Sequence, residues 1–518
     1  MQIAILHYHL NPGGVTQVIA NHLQSLDLAL EGTSKCKVAI FHGGEIEGWN
    51  APFLNQLQHL EVSIQSLPAL GYDTGPAECP DPAGLAKELL SQFARIGFDS
   101  ARTVIHVHNH SLGKNISLPA ALHQLAIAGY PLLLQMHDFS EDFRPDQYAR
   151  IAKSLPNGQA VSSGGLLYPQ ASQIHYAVLN GRDRDVLSRS GVADQRLHEL
   201  PNPIVEFNQL PPRDKIRTVL SRDAEIPVDK PLLVYPVRCI RRKNIGELLL
   251  WATLLRARAC FAATLAPQNA MEIPAYDRWK RLAKEAQLPC LFELGEQLSF
   301  RESLAASDAL ITTSVAEGFG MVFLESQLMG RNLLGRKLPE ITKDFENNRI
   351  DFSALYERFA VPVDLIGLDQ IRRDILAAYQ KTIAAFDRRS ITLDTAGDSF
   401  DRLVADGTID FAMLTPEMQS VLILQLSSSW KHHEILFAQN PRVAESLSTI
   451  AESHALLKNA RAVRDHYHPQ LCGRRLWIIY QGLLESEREI VLSNLERYGE
   501  ILDFFLKIER FRPIRSMS

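Results

Sequence analysis

Glu317-Gly318-Phe319-Gly320-Met321-Val322-Phe323-Leu324-Glu325 is the stretch on which the fold turns. The apolar run Ala309–Thr312 before it has the length of a buried strand, and a helical pattern follows from about Gly320 to Met329. A strand that feeds a helix through a short glycine-bearing loop is the repeating unit of a parallel α/β sheet. The loop then lies at the carboxyl end of its strand, where open sheets of this kind hold their ligands. Backbone N–H groups of residues 318–321 stand at a helix N-terminus without intrahelical partners and can hold an anion or hydroxyl groups. Gly318 and Gly320 carry no side chain, so a ligand can approach the backbone closely. Glu325 falls in the first or second turn, where its carboxylate can accept two hydrogen bonds from a vicinal diol such as a ribose.

The same alternation extends outward from this stretch. Towards the N-terminus, Ile3–Leu6, Lys37–Phe41, Thr103–Val107 and Leu132–Met136 read as buried strands. Val15, Val18, Ile19, Leu23 and Leu26 share one face of the helix that follows the first of them. Pro201, Pro203, Pro211, Pro212, Pro227 and Pro231 then cluster in a segment that resists helix and central strand alike, which places a domain boundary there. The alternation restarts with the strand Leu232–Pro236 and a helix marked by Ile245, Leu248, Leu249, Ala252 and Leu255. From about residue 360 the pattern turns helical, and beyond Thr408 it stays so, with long amphipathic segments at Ser446–Leu457 and Leu476–Leu506. A chain of 518 residues exceeds one ordinary core. The pattern predicts α/β domains at 1–204 and 205–395 and a helical extension at 396–518, either a stabilising layer or a partner or acceptor surface.

Composition narrows the function classes. Apolar residues make up 46% and charged residues 22%, an ordinary globular mix, and the net charge of -5 argues against nucleic-acid binding through phosphate contacts. The six cysteines show no C-x-x-C spacing, so neither a zinc knuckle nor a disulfide framework is signalled, and scattered thiols suit a reducing cytoplasm. Met1–Leu6 lacks the basic and long apolar regions of a signal peptide, and no run is long enough to span a bilayer. Peripheral membrane contact stays open, with Lys507, Arg510, Arg512 and Arg515 near the end of the sequence.

Further polar groups cluster at strand ends. Arg238-Cys239-Ile240-Arg241-Arg242-Lys243-Asn244 ends a strand and begins a helix, so Arg238 and Lys243 can converge on a diphosphate, one as a fork and one as a point charge. Asn11-Pro12-Gly13-Gly14-Val15 joins the first strand to the first helix; its glycines allow a tight turn near phosphate, and it is not the dinucleotide fingerprint. Gln135-Met136-His137-Asp138-Phe139-Ser140-Glu141-Asp142-Phe143-Arg144-Pro145 packs many polar groups after a buried strand. His106, His108 and His110 alternate along a strand and can in principle share a zinc ion, but His110 falls past the strand end, and a polar acceptor-side pocket of Asn109, His110 and Lys114 reads better. His7 and His9 read first as satisfied polar groups and second as substrate contacts.

Taken in order, Gly13-Gly14, His137-Asp138, Arg238/Lys243 and the Glu317/Glu325 pair resemble the motifs of retaining GT-B glycosyltransferases, especially family 4, over about residues 1–345. Pro201-Asn202-Pro203 resembles that family's interdomain connection, and Leu338-Pro339-Glu340-Ile341 its loop after the E-x7-E helix. The resemblance implies GT-B architecture: two Rossmann-like domains facing a cleft. It implies transfer of a glycosyl group from a nucleoside diphosphate sugar to an acceptor hydroxyl with retained anomeric configuration. On that reading Arg238 and Lys243 stabilise the diphosphate. Glu325 holds the ribose, and Gly13, Gly14, Gly318, Phe319, Gly320 and Met321 complete the donor site. Glu317 and His137 contact the transferred sugar. No cofactor or metal is expected, the nucleotide sugar being a co-substrate. The acceptor is expected to be a sugar, sugar phosphate, glycan or other polar molecule held near Asn109, Lys114, Asp138 and Arg144.

Two departures stand out. The stretch after Glu340 lacks the family's glycine-bearing segment, and the helical tail to Ser518 is longer than the family needs; Val237 also precedes Arg238 where the family usually has glycine. The same architecture also serves sugar-nucleotide epimerases, phosphorylases and non-catalytic nucleotide-sugar binders; the intact Arg/Lys and Glu pairs disfavour the last.

Overall fold

The computed structural model describes residues 1–516 apart from 32–34, 50, 74–80, 155–162, 207–209, 225, 387–392 and 451–453; Cys79 lies outside the described residues. The chain divides into two compact units, Met1–Val205 with His466–Leu506, and Glu206–Asp465 with Lys507–Ser518.

The first unit is built on seven strands: β1 (Gln2–His7), β2 (Cys36–His42), β3 (Leu60–Ser66), β4 (Thr103–His108), β5 (Leu132–Met136), β6 (Ile174–Val178) and β7 (Leu197–Glu199). They pair in parallel in the order β3-β2-β1-β4-β5-β6-β7. The central strands are covered on both faces, which is why they read as continuous apolar runs rather than alternating ones. Successive residues still serve opposite layers. Ile3 and Ile5 pack with Leu23, Leu26, Leu476 and Leu483, whereas Ala4 and Leu6 pack with Phe41, Phe93, Val107 and Phe505. The helix Gly14–Ala29 is flanked by the helix Pro469–Glu485. Gly473 permits their close approach, since a Cβ there would come within 1.8 Å of the Ser25 carbonyl oxygen.

The second unit holds β8 (Leu232–Arg238), β9 (Cys260–Leu265), β10 (Cys290–Leu291), β11 (Ala309–Thr312) and β12 (Leu333–Gly335) in the parallel order β10-β9-β8-β11-β12. Its helix Ile245–Leu254 is buried along its whole length, so its sequence is apolar on every side apart from Glu247 and Thr253. A short antiparallel pair, β13 (Ala360–Pro362) and β14 (Thr408–Asp410), follows, and the helix Pro416–Ser428 lies on Ile245–Leu254.

Both sheets reverse their strand order once, between β1 and β4 in the first unit and between β8 and β11 in the second. Ligand crevices of doubly wound sheets open at such points. The sequence places its candidate residues on the loops that leave these four strands and on the loop that leaves β5. The residues expected to form one extension are shared out: up to Asp465 and from Lys507 they belong to the second unit, and His466–Leu506 to the first. Of the two expected long helices, Ser446–Leu457 includes 451–453, which lie outside the described residues, with the helices Pro441–Thr449 and His454–Tyr467 on either side; Leu476–Leu506 is interrupted between Pro469–Glu485 and Gly499–Phe505. Among the described residues no helix is long and apolar enough to cross a membrane.

Candidate active site

In the second unit the loops leaving β8 and β11 are tied together by their own backbone and side chains. The Val315 N–H donates to the Arg242 carbonyl at 2.9 Å, and Thr313 Oγ1 donates to the Lys243 carbonyl at 3.0 Å. Asn244 makes the turn between them in the left-handed region, φ 48°, which asparagine tolerates better than most residues. Its side-chain amide donates to Glu247 Oε2 at 2.9 Å. Glu247 in turn receives Arg336 Nη2 at 2.6 Å, and the same guanidinium reaches Asp410 Oδ1 at 2.7 Å. Tyr356 closes this buried network with a 2.8 Å hydrogen bond to Glu247.

On that frame Lys243 Nζ meets Glu317 Oε1, Arg242 Nη1 lies 3.3 Å from Glu317 Oε2, and Ser314 Oγ donates to Glu317 Oε1 at 2.6 Å. Burial pushes the Glu317 carboxyl up, but the Lys243 and Arg242 charges and the hydrogen bonds outweigh it and hold the group below its ordinary value. Arg238 donates to the Ala266 carbonyl at 3.3 Å and has no carboxylate partner among the described residues. Gly320, the residue before the helix Met321–Leu328, has φ 83°, and a Cβ there would meet the Phe323 ring at 2.7 Å. Glycine is therefore required at 320, where the loop turns into the helix. The Phe319 ring is buried edge-on against Phe345, so this residue offers its backbone only. Glu325 stands one turn in, with no side-chain hydrogen bond or ion pair among the described residues, and burial raises its carboxyl from 4.5 to about 7. Two oxygens, two cations and a row of N–H groups at one strand-end region can bind a sugar nucleotide's diol and diphosphate.

The first unit presents the other candidates. Gly13 is extended (φ 179°) and Gly14 opens the helix; a Cβ at Gly13 would meet only the Asn11 carbonyl oxygen at 3.8 Å, and one at Gly14 nothing within 4 Å. Packing within the unit thus gives neither glycine a reason, whereas a ligand lying on this loop would. His137 Nε2 lies 2.9 Å from His108 Nδ1, and burial lowers the His137 pKa to about 4, so its imidazole is neutral near pH 7. Asn109 Oδ1 accepts the backbone N–H groups of His137 at 2.8 Å and Asp138 at 3.2 Å, which makes Asn109 a holder of that loop through its side-chain oxygen. Asp138 pairs with Arg144 at 2.7 Å, and Asp73 with Arg150 at 3.0 Å. The Lys114 ammonium lies 5.1 Å from the centre of the Tyr72 ring without a carboxylate partner among the described residues. Burial, together with the Arg144 and Arg150 charges, lowers its pKa.

His110 is turned away from the strand and lies 2.7 Å from the Leu167 carbonyl oxygen, so it joins neither a histidine triad nor the Lys114 region. Sequence reasoning also passed over Ser314, Tyr235, Arg242 as a Glu317 partner, and the Glu247–Arg336–Asp410 network. No local pattern marks them, because the contacts of Tyr235 with Ser314, Arg242 with Glu317, and Arg336 with Glu247 and Asp410 join residues 74 to 89 apart in sequence.

No family model matches the chain. It is 27% identical over 435 residues to the mannosylglucosyl-3-phosphoglycerate synthase of Petrotoga mobilis, covering 81% of this chain and 80% of that one. Among solved structures it is similar to a glycosyltransferase from Rickettsia africae, with a TM-score of 0.52 at 13% identity over 93% of this chain and 98% of that one. It is also similar to sucrose-phosphate synthase of Thermosynechococcus elongatus, with a TM-score of 0.47 at 14% identity over 86% and 98%. The first of these structural likenesses, with the two parallel sheets, bears out the expected GT-B architecture.

Proposed function

We propose that this chain, a glycosyltransferase of the GT-B fold, moves a hexosyl group from a nucleoside diphosphate sugar to an acceptor hydroxyl with retention of anomeric configuration. One observation carries the reading: Arg238, Lys243, the glycine turn into the helix Met321–Leu328 and Glu325 all lie at the switch point of one sheet. Arg238 and Lys243 stabilise the charge that develops on the leaving diphosphate. Glu325 accepts the ribose hydroxyls, and Glu317 with the N–H groups beside it takes hydroxyls of the sugar. His137, neutral, hydrogen-bonds the transferred sugar. The departing diphosphate oxygen takes the acceptor's proton on the face from which the acceptor attacks.

Fixed cations and a helix terminus do the work that a divalent ion does elsewhere. Turnover without added divalent ion is accordingly expected to match turnover with added magnesium or manganese. A loss on EDTA treatment that either ion restores counts against this assignment.

The acceptor is read as anionic. The relative's name joins mannosyl and glucosyl units to 3-phosphoglycerate. In this chain Lys114 lacks a counter-charge and stands near Arg144 and Arg150. A sugar carrying a phosphate or carboxylate matches that surplus of positive charge. We place the enzyme in the cytoplasm, in keeping with five described cysteines that are all free thiols.

The test has two stages. Thermal-shift screening against UDP-, GDP- and ADP-sugars identifies the donor, because a ligand that binds only the folded state raises its stability. NMR of the product formed on a hexosyl phosphoglycerate then reads the anomeric configuration. An inverted linkage overturns retention. Nucleotide release without transfer to any phosphorylated or neutral sugar overturns the transferase reading.

A further inference from the structure

The face of β4 that looks onto the helix Gly14–Ala29 carries His106 and His108, and that helix returns His22 to them. All three side chains are buried. The His106 and His108 rings stack with centroids 4.4 Å apart, and the His22 ring lies 5.9 Å from the first and 6.0 Å from the second. One ring nitrogen from each lies within 4.8 Å of the other two.

The hydrogen bonding of this cluster is incomplete. Both nitrogens of His22, Nε2 of His108 and Nε2 of Gln135 are buried without a partner among the described residues. Each buried polar atom left unmade costs on the order of 1–3 kcal/mol. Those of His22 and His108 belong to rings whose nitrogens converge, which points to something that binds there. Burial, the largest effect on each ring, drives the pKa values of His22, His106 and His108 down, so each imidazole is neutral with a lone pair available. Two histidines at alternate positions of a strand and a third from a facing element make a three-nitrogen set that suits a first-row transition ion, zinc above all, and does not suit a hard cation such as magnesium. The surroundings supply outer partners as well: His108 Nδ1 lies 2.9 Å from His137 Nε2, and His106 Nδ1 lies 2.8 Å from the Tyr480 hydroxyl. His106 Nε2, now 2.9 Å from Gln135 Oε1, is the nitrogen that must exchange its partner for the ion.

We propose that His22, His106 and His108 form a buried transition-metal site in the first unit, distinct from the nucleotide-sugar residues of the second. The ion ties the first helix to the centre of the sheet, and through His108 it fixes the orientation of His137.

The experiment uses the full chain without a histidine tag, purified from zinc-supplemented culture. Elemental analysis is expected to find close to one zinc ion per chain. His22→Leu and His108→Leu, each tested separately, are expected to lose at least nine-tenths of it. Because a variant may fold poorly, the wild-type chain is also stripped with a strong chelator and titrated. Zinc is expected to raise its Tm where magnesium does not, and cobalt(II) to give the visible absorption of a tetrahedral nitrogen site. Failure of the wild-type chain to retain zinc, with no Tm change on zinc addition, overturns the proposal and leaves water as the occupant. Undiminished zinc in both folded variants also overturns it, since the ion then sits elsewhere.

Discussion

Lys243 and Glu317 form an ion pair where the loops leaving β8 and β11 meet, and Ser314 and Arg242 hold the same carboxylate from two further sides. The pair is largely shielded from solvent, with 12% and 8% of the two side chains exposed. A charge in such a place is costly unless matched. The arrangement keeps Glu317 ionised and the ammonium fixed at the strand end that faces a diphosphate in the proposed reaction.

Removing the cations separates binding from folding. Lys243→Ala and Arg238→Ala are each expected to weaken donor affinity by roughly tenfold to a hundredfold, the equivalent of about 1.5–3 kcal/mol for a charge-assisted contact. The Lys243 variant also leaves Glu317 without its nearest counter-charge, so its Tm falls as well. Arg238 has no such partner to orphan, and its variant is expected to keep the wild-type Tm. Calorimetric titration with the donor and a thermal melt on each variant separate the two effects. Unchanged affinity in both variants removes the site assignment.

Glu325 gives a pH dependence with a definite sign. Its carboxyl is raised from 4.5 to about 7 by burial, so between those values the folded chain holds a proton that the unfolded chain has released. The stability it contributes is present in full below pH 4.5 and is lost as pH rises through about 7. Ribose binding needs the ionised form as acceptor, so donor affinity should rise over the same span. Glu325→Gln is expected to match wild type in Tm at pH 4, to exceed it at pH 8, and to bind donor at least about tenfold more weakly at pH 8. A flat affinity profile from pH 5 to pH 8 in the wild-type protein contradicts the assigned role.

Much of this is legible in the sequence. Parallel strands buried on both faces leave continuous apolar runs, and the turn into the helix Met321–Leu328 demands glycine at 320, so sheet order aside the βα units announce themselves. The Arg238–Lys243 and Glu317–Glu325 spacings are local for the same reason. What local pattern lacks is the partner of a distant residue. His22 reads as one polar position on an amphipathic helix, and only the packing of Gly14–Ala29 onto β4 sets it against His106 and His108. His110 shares their alternation, yet the backbone turns at Asn109, φ 60°, and takes its ring elsewhere. The terminal helices are amphipathic without any mark of which unit their apolar faces cover, and the division at Asp465 and Leu506 follows from packing alone.

Arg336 is the keystone behind the phosphate loop. It lies between Glu247 and Asp410 with 3% of its side chain exposed, and Glu247 in turn fixes Asn244 beside Lys243. Arg336→Met leaves two buried carboxylates facing each other, a change expected to cost about 3–5 kcal/mol. The triple variant Glu247→Leu/Arg336→Met/Asp410→Leu removes the orphaned charges together and is expected to recover most of that loss, yet to bind donor more weakly because Asn244 loses its anchor. Denaturant melts and donor titrations of the two proteins measure this. Equal donor affinity in a folded triple variant shows that the network serves stability alone.

The acceptor prediction turns on charge balance. Lys114, Arg144 and Arg150 stand close enough for the two guanidinium charges to depress the Lys114 pKa, yet among the described residues only Asp138 and Asp73 pair with the set, each with one arginine. The Arg144–Asp138 pair is about one quarter exposed on either side, so it contributes little to folding and its arginine is free to turn towards a ligand anion at small cost. Lys114 rests on the Tyr72 ring, an arrangement that holds the ammonium in place without neutralising it. Lys114→Ala and Arg144→Ala are therefore expected to raise the KM for a phosphorylated acceptor by about tenfold or more while leaving donor affinity within twofold, since one charge-assisted contact is worth about 1.5–3 kcal/mol. Lys114→Arg, which keeps the charge, is expected to recover part of the loss. A neutral sugar acceptor supplies the control: its KM should be nearly unmoved by either alanine. Equal effects on neutral and phosphorylated acceptors place the anion site elsewhere in the first unit, and normal use of both acceptors by both variants shows that this cation cluster does not face the acceptor at all.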